Sequence, residues 1–598
     1  MNAIAQRDLE QPIDQLQDPE QQYLAMKSMA RGYAEGLTEQ DRLASVRVFC
    51  IGMVSSYWDA VVRSKGKQLK IKTPPIKMAG VDPVAMKLAQ EIGALVTQYP
   101  AADAGYLIGS VYTVMLPELM RSSLGAFYTP PSLSERLIDL AIASGFDPAK
   151  HSACDPSCGG GAFLAPVAAR MLKAMPAGAP ELTLRRITSR LRGSEIDAFA
   201  AWMSEVLLEV TLLDLVIASG KRTPKVVLVG DSLELDAAFG TFDLVIGNPP
   251  YGRVTLSESL REKFSRSLFG HANLYGVFTD LALSLCKPNG VIAYVTPTSF
   301  LGGQYFKALR TLLCKEAPAQ AIDIVFGRDG VFDNVLQETA LTSYRKQAKA
   351  SPVAVSQVTT GAHDKAVTTL IGKYSLDANG GPWLLPRSKE QASFFSALRK
   401  MNTRLEDLGY DVSTGPLVWN RHKTQMKQSV KGENVYPLVW AESIALGKFV
   451  FSAKKKNHAP AIEIFDHQPH LLTKASCVLV QRTTSKEQAR RLVCAVLPAD
   501  FLDKNGGAVV IENHVNTVYP TNSVSGIAPE TIAVLLNSSL ADAAFRCISG
   551  SVAVSAYELN ALPLPSLQQM KQLQTLIQNH AKPATIQSAI KRFYGMCK

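Results

Sequence analysis

The stretch Thr241-Phe-Asp-Leu-Val-Ile-Gly-Asn-Pro-Pro-Tyr-Gly252 limits the fold more than any other part of the chain. Phe242, Leu244, Val245 and Ile246 surround one acid, Asp243, and run into Gly247. A short apolar run of this kind reads as a buried strand that ends in a loop. The loop holds an amide, two prolines and an aromatic: Asn248, Pro249, Pro250 and Tyr251. A planar ring bearing an amino group gives each of them a use. The Asn248 side-chain oxygen and the Pro249 carbonyl can both accept from one NH2 group. The prolines fix φ and so hold those acceptors in place, and Tyr251 offers a flat face for stacking on a base. A proline-rich turn after a strand has the same residue types, so the surrounding chain must decide between the two.

Upstream, three further segments end in the same way. Ala153-Cys-Asp-Pro-Ser-Cys-Gly-Gly-Gly-Ala-Phe-Leu-Ala-Pro166 reads as a strand end, a glycine loop and a helix. Glycine lets the backbone approach a ligand closely. The loop is not GxxxxGK[ST] and has no Lys or Arg, so a nucleoside triphosphate fits poorly. A nucleoside with a cationic or zwitterionic tail fits better, because Asp155 stands where it can meet an amino group. Leu191-Arg-Gly-Ser-Glu-Ile-Asp197 ends in acid, and Glu195 is placed to grip two ribose hydroxyls. The distance from Asp155 is about twice the spacing of roughly 20 residues in the dinucleotide fingerprint, which weakens a nicotinamide reading. The extra length, Ala174 to Arg190, predicts an insertion or an extended helix. Val226-Val-Leu-Val-Gly-Asp-Ser-Leu233 also ends in acid, and Asp231 can accept from the exocyclic amine of a bound adenine. Gly290-Val-Ile-Ala-Tyr-Val-Thr-Pro297 adds another strand. Strands that alternate with helices predict an α/β, Rossmann-like, doubly wound sheet with ligands at the strand C-termini.

Before this region, Leu124-Gly-Ala-Phe-Tyr-Thr-Pro-Pro-Ser-Leu-Ser-Glu-Arg-Leu-Ile138 predicts a helix opened by two prolines, with Ser132 or Ser134 as cap. Its Phe127, Tyr128 and Thr129 can line a small-molecule pocket. Tyr23 to Ser64 and Val81 to Met120 repeat apolar residues at three- and four-residue steps, so residues 1–120 read as a helical region capping the next domain. No nuclease constellation of the Pro-Asp…Glu-x-Lys type is found there.

Charge is unevenly spread. The net charge is +11, yet Arg345 to Pro460 holds 18 Lys and Arg against 8 Asp and Glu, which is nearly all of it. Concentrated basic charge suggests a polyanion-binding module; a solvated basic face is the plainer alternative. The nine cysteines form no CxxC pair, so neither a disulfide framework nor a metal site is suggested. No apolar run reaches the roughly 18 residues of a membrane helix, and the N-terminus lacks a secretory pattern. Cytoplasmic location is expected.

Taken in order, FYTPP, DPSCGGGAF, GSEID, GDSL, DLVIGNPPYG and LCKPNGVIAYVTPTSFL resemble the gamma-class, TaqI-like DNA adenine-N6 methyltransferases of restriction-modification systems over about Leu124 to Lys346. Thr414-Gly-Pro-Leu-Val-Trp-Asn-Arg-His-Lys423, Val478-Leu-Val-Gln-Arg-Thr483 and Leu535-Leu-Asn-Ser-Ser539 before Leu562-Pro-Leu-Pro565 look like the same family's C-terminal target-recognition domain. The resemblance implies a catalytic domain over 121–350, a transition over 351–400, a mixed α+β recognition domain over 401–565 and a helical tail over 566–598. It implies S-adenosylmethionine as methyl donor. Phe127, Tyr128 and Thr129 would flank the methionine end. Asp155, Ser157, Cys158 and the Gly159–Gly161 backbone would cradle the amino acid. Glu195 with Ile196 would hold the ribose, and Asp231 with Ser232 the adenine. Asn248, Pro249, Pro250 and Tyr251 would hold a target base flipped out of double-stranded DNA, with Phe332 a candidate second aromatic. Trp419, Arg421, Lys423, Arg482 and Thr483 are candidate DNA contacts, and a separate cognate restriction endonuclease is a possible partner.

The implied chemistry is direct displacement at N6, which needs neither a metal nor a covalent intermediate. Cytosine carbon-5 methylation needs a nucleophilic Pro-Cys, and the sequence contains none; Glu433-Asn434-Val435 lies outside the catalytic region. Cytosine-N4 DNA methylation, RNA or protein-glutamine methylation, and a bifunctional enzyme that also cuts DNA stay open as alternatives.

Overall fold

The computed structural model describes residues 18–596 except 77–81, 125–127, 237–238, 327–337, 361–364, 485–488, 522–525 and 549–552. It divides into two compact units: Met1–Pro297 with Thr311–Leu370, and Thr298–Arg310 with Ile371–Lys598.

The first unit is organised by one sheet. Its strands are β1 (Ala153–Asp155), β2 (Leu191–Glu195), β3 (Val227–Val229), β4 (Phe242–Gly247), β7 (Cys286–Pro297), β8 (Ala319–Phe326), β9 (Thr339–Arg345), β10 (Val353–Thr359) and β11 (Val367–Tyr374); β5 (Arg253–Val254) and β6 (Ala272–Asn273) form a separate two-stranded ribbon. The spatial order is 3-2-1-4-7-9-8-10-11. Strands β3, β2, β1, β4 and β7 run parallel, whereas β9 lies antiparallel between β7 and β8. The chain winds outward from β1 to β3 and then returns to β4 on the other side of β1. That reversal is a topological switch point, where the loops at the strand C-termini part and leave a crevice. The sheet is therefore mixed rather than purely parallel.

Buried strands demand cover on both faces. Helices Pro131–Ala143 and Leu164–Ala174 pack Leu133, Leu137, Ile138, Val167 and Met171 against Leu244, Ile246, Val291, Val295 and Leu341. The residues between β1 and β2 form a second, separate helix, Pro180–Thr188. Helix Ala198–Thr211 is apolar nearly all round, as a helix buried on every side must be. Ala201 and Leu208 face the sheet core, while Trp202, Met203, Val206 and Leu207 join a different core. The second core belongs to the N-terminal helices Pro19–Glu35, Glu39–Ser64, Pro83–Leu95 and Ala101–Met115, through Phe49, Tyr57, Trp58, Ile92, Leu107 and Val111. The helical region thus shares its core with the sheet unit. Two acids buried in helix Ala198–Thr211 are fully matched. Glu205 accepts from Lys72 Nζ (2.5 Å) and from the amides of Val226 (2.6 Å) and Val227 (2.8 Å), which fixes the start of β3. Glu209 accepts from Arg222 Nε (2.5 Å) and Nη2 (2.7 Å).

The second unit is α+β. A four-stranded antiparallel sheet runs Tyr410–Thr414, Val515–Pro520, Val478–Gln481, Cys494–Val496, and a five-stranded sheet is centred on Val435–Val439. Helices Pro529–Leu536, Ser539–Arg546, Leu567–Gln578 and Pro583–Phe593 contribute Ile532, Phe545, Met570, Leu573 and Ile590 to a core that also holds Val412, Val478 and Val518. The C-terminal helices are therefore integral to this unit. Among the described residues, no helix is long and apolar enough to cross a membrane.

Candidate active site

A cavity of about 330 Å³ opens at the switch point, between the C-terminal ends of β1, β2, β3 and β4. Its size falls within the range of small-molecule sites. Glu195 and Asn248 share its wall with Tyr128, Thr129, Ser157, Cys158, Gly159, Ile196, Asp231, Ser232 and Pro250. Among the described residues, three acids, Glu195, Asp197 and Asp231, line it and no Lys or Arg does. Such a wall favours a ligand with positive charge and disfavours phosphate.

The glycine loop is held from two sides. Glu195 Oε2 accepts from the Gly159 amide (2.9 Å), and Oε1 accepts from the Asp197 amide (2.9 Å). Burial pushes the Glu195 carboxyl above its ordinary range, and these backbone donors oppose the shift. Ser232 Oγ donates to the Pro156 carbonyl (2.5 Å) and lies 2.8 Å from Ser194 Oγ. Ser232 therefore ties the end of β3 to the loop. Gly161 takes φ of 91°, a left-handed conformation that glycine adopts without strain.

Tyr128 is wedged between two glycines. A Cβ at Gly109 would stand 2.2 Å from its Cδ1, and one at Gly160 would stand 2.4 Å from its Cε1. The ring thus stands between helix Ala101–Met115 and the glycine loop. Thr129, 3% exposed, follows it and accepts from Asn248 Nδ2 (3.1 Å).

Four expected contacts differ. Asp155 does not reach the cavity wall and has no solvent exposure. It sits under the turn it starts, accepting from the Ser157 amide through Oδ1 (3.0 Å), while Oδ2 is buried without a partner among the described residues. Burial, joined by the nearby Glu195 charge, raises its pKa to about 8. Gly247 backs onto it: a Cβ there would lie 2.6 Å from Asp155 Oδ1. The Tyr251 ring likewise stands outside the wall. It meets Tyr275 edge-on, with centroids 6.0 Å apart, and its hydroxyl donates to Asn248 Oδ1 (2.7 Å). Pro249 and Gly161 also lie outside this wall, and Phe127 and Phe332 lie outside the described residues.

Sequence reasoning missed Tyr112, Phe163, Asp197, Leu256, Leu274 and Phe278, all of which line the cavity. Asp197 accepts from Arg47 Nη2 (2.8 Å) and from the Tyr112 hydroxyl (3.3 Å). The N-terminal helices therefore build one side of the site. Tyr112 sits in an ordinary apolar stripe and gave no signal; Asp197 was visible as the second acid of the Gly-Ser-Glu-Ile-Asp segment.

In the second unit, Trp419 is half-buried, edge-on to Trp440, and Lys423 Nζ lies 5.5 Å from its ring centroid. Trp440 in turn stacks on His458 at 3.8 Å. Arg421 and Thr483 are exposed. Arg482 is turned to an internal duty: Nη1 donates to the Asn513 carbonyl (2.9 Å).

Residues 202–332 match the family described as Eco57I restriction-modification methylase. The Type II methyltransferase M.BsuBI of Bacillus subtilis is 25% identical over 458 residues, which span 75% of this chain and 88% of that protein. The Type II methyltransferase M.PstI of Providencia stuartii is 24% identical over 474 residues, spanning 77% and 90%. Among solved structures, the Type IIL restriction-modification enzyme MmeI in complex with DNA shares the fold at a TM-score of 0.51 and 13% identity, over 96% of this chain and 92% of that one. Residues 202–332 thus carry an Eco57I-type restriction-modification methylase domain, in a chain whose curated relatives are Type II methyltransferases.

Proposed function

We propose that the chain transfers a methyl group from S-adenosylmethionine to N6 of adenine in double-stranded DNA, at a site read by its C-terminal unit. The observation that carries the reading is the shared wall: Glu195 at the end of β2 and Asn248 at the end of β4 face one cavity. The names of the relatives support the reaction class.

The lining fits the donor. Three carboxyls, with no basic residue beside them among the described residues, suit a sulfonium and an amino group. Ile196, 61% exposed at the rim, offers an apolar face to a purine. Asp231, exposed at the end of β3, can accept from its amine. When bound, the donor supplies an activated methyl group.

The remaining work falls to the protein. The base must leave the duplex to be reached. The N6 lone pair is delocalised into the ring and is a poor nucleophile. The Asn248 side-chain oxygen and the Pro249 carbonyl accept from the N6 hydrogens and stabilise positive charge as it forms there. Holding the base against the cavity supplies alignment. The aromatic and basic cluster around Trp419, Arg421 and Lys423 supports DNA contact by the second unit.

The test is direct. Genomic DNA lacking adenine modification is incubated with the chain and S-adenosylmethionine, then sequenced as single molecules. N6-methyladenine at one recurrent sequence is expected. N4-methylcytosine in its place, or no modified base, would sink the adenine reading.

A further inference from the structure

The Asn248 amide is engaged at both ends by hydroxyls from different parts of the chain. Its Nδ2 donates to Thr129 Oγ1 at 3.1 Å, and its Oδ1 accepts from the Tyr251 hydroxyl at 2.7 Å. Thr129 and Asn248 both line the cavity, whereas the Tyr251 ring does not. We propose that these three residues form a hydrogen-bond chain in which Thr129 is a positioning residue that acts through Asn248, and the Tyr251 hydroxyl holds the place of the substrate's amine until a base enters. This rests on the proposed exchange of an exocyclic amine at Asn248.

The two ends have opposite effects. An amide that donates through its nitrogen becomes a stronger acceptor at its oxygen, because linked hydrogen bonds polarise one another. Thr129 thus strengthens the atom that receives the N6 hydrogen, and does so with a side chain 3% exposed, where water cannot substitute for it. The Tyr251 hydroxyl instead competes for that oxygen. It keeps a partly buried acceptor satisfied in the base-free protein, and each such bond is modest in net worth, so exchange for the base is easy. A ring turned edge-on to Tyr275 must swing to offer its face to a base, and that movement breaks the bond to Asn248.

The experiment uses the full chain with genomic DNA lacking adenine methylation and S-adenosylmethionine carrying a labelled methyl group. Thr129→Val is expected to slow single-turnover transfer about tenfold at saturating S-adenosylmethionine. Thr129→Ser restores the rate, because the hydroxyl returns. Tyr251→Phe is expected to lower the KM for DNA about fivefold, the worth of one ordinary hydrogen bond removed from the base-free state. Should Thr129→Val fail to fold, Thr129→Ala serves for the same comparison. Full activity of Thr129→Val, a rate that Thr129→Ser fails to restore, or a raised KM for Tyr251→Phe would each overturn the inference. A wild-type protein that labels none of the DNA would overturn the proposed function instead.

Discussion

Arg47, in the second described helix of the chain, donates to Asp197 at the rim of the cavity, 150 residues away, at 2.8 Å. The Asp197 side chain is 5% exposed and that of Arg47 is 20% exposed, so the pair is largely removed from water. Breaking a buried pair from one side leaves an uncompensated charge. Arg47→Met is expected to destabilise the unit by about 2–3 kcal/mol, somewhat under the usual cost because Arg47 keeps some solvent. The stranded Asp197 charge also stands two residues from Glu195, whose oxygen accepts the Asp197 amide. Cofactor affinity should therefore fall in the same variant. Chemical denaturation and calorimetry with S-adenosylhomocysteine measure the two effects; an unchanged denaturation midpoint would contradict the first.

That relationship also marks where sequence reading ends. The C-terminal ends of β1 to β4 were legible because parallel buried strands announce themselves as apolar runs closed by glycine, acid or amide. Their common edge follows from the winding, so Glu195, Asp231 and Asn248 meet one cavity. The antiparallel insertion of β9 was not legible, because an apolar run does not reveal the direction of its neighbours. Nor was the part played by the first helices: Arg47 and Tyr112 carry no local signature, and their worth depends on helix Ala198–Thr211 joining two cores. Asp155 illustrates a third limit. Its acid was read as facing a ligand, yet the turn folds Ser157 over it and Gly247 closes it from behind.

The buried Asp155 makes the stability of the fold depend on pH. Its pKa is raised from 3.8 to about 8, with burial the main cause. The folded protein therefore holds a proton that the unfolded chain has lost between those values. Stability from this group is complete below about pH 4 and declines as pH rises toward 8, with a slope of at most about 1.4 kcal/mol per pH unit. Asp155→Asn mimics the protonated acid and has no such titration. Denaturation of both proteins from pH 5 to 8 should show wild type losing stability relative to the variant. Glu195, also raised, leaves a residual slope in both. Parallel curves would refute a buried protonated Asp155.

The Tyr128 wedge predicts a coupled pair. Gly109→Ala puts a methyl group 2.2 Å from Tyr128 Cδ1, closer than any packed carbon tolerates. The variant should lose about 1–3 kcal/mol, the usual cost of overpacking. Tyr128→Leu alone loses ring packing, but the double variant should lose less than the two single losses combined, because the smaller side chain leaves room for the methyl group. A double-mutant cycle by thermal denaturation checks this, and strict additivity would mean that the ring and Gly109 are not in contact.

The last prediction concerns the chemical step. Asn248 leaves the end of β4 with its amide tied to Thr129 and Tyr251 rather than to Glu195 or Asp231. Glu195, Asp231 and the glycine loop are untouched by its removal, since none of the hydrogen bonds that hold them involves Asn248. Asn248→Ala should accordingly bind S-adenosylhomocysteine within about twofold of wild type, while single-turnover methyl transfer falls by roughly a hundredfold, the usual loss on deleting one preorganised polar group that meets developing charge. The fall should appear in kcat and kcat/KM alike, because in the proposed reaction the contact strengthens as the accepting nitrogen becomes positive. Asn248→Asp separates geometry from charge: it keeps the acceptor oxygen, loses the donor to Thr129, and places an anion beside the forming cation. Turnover of Asn248→Ala equal to wild type would remove the amide from the reaction and leave Pro249 as the only acceptor at that loop.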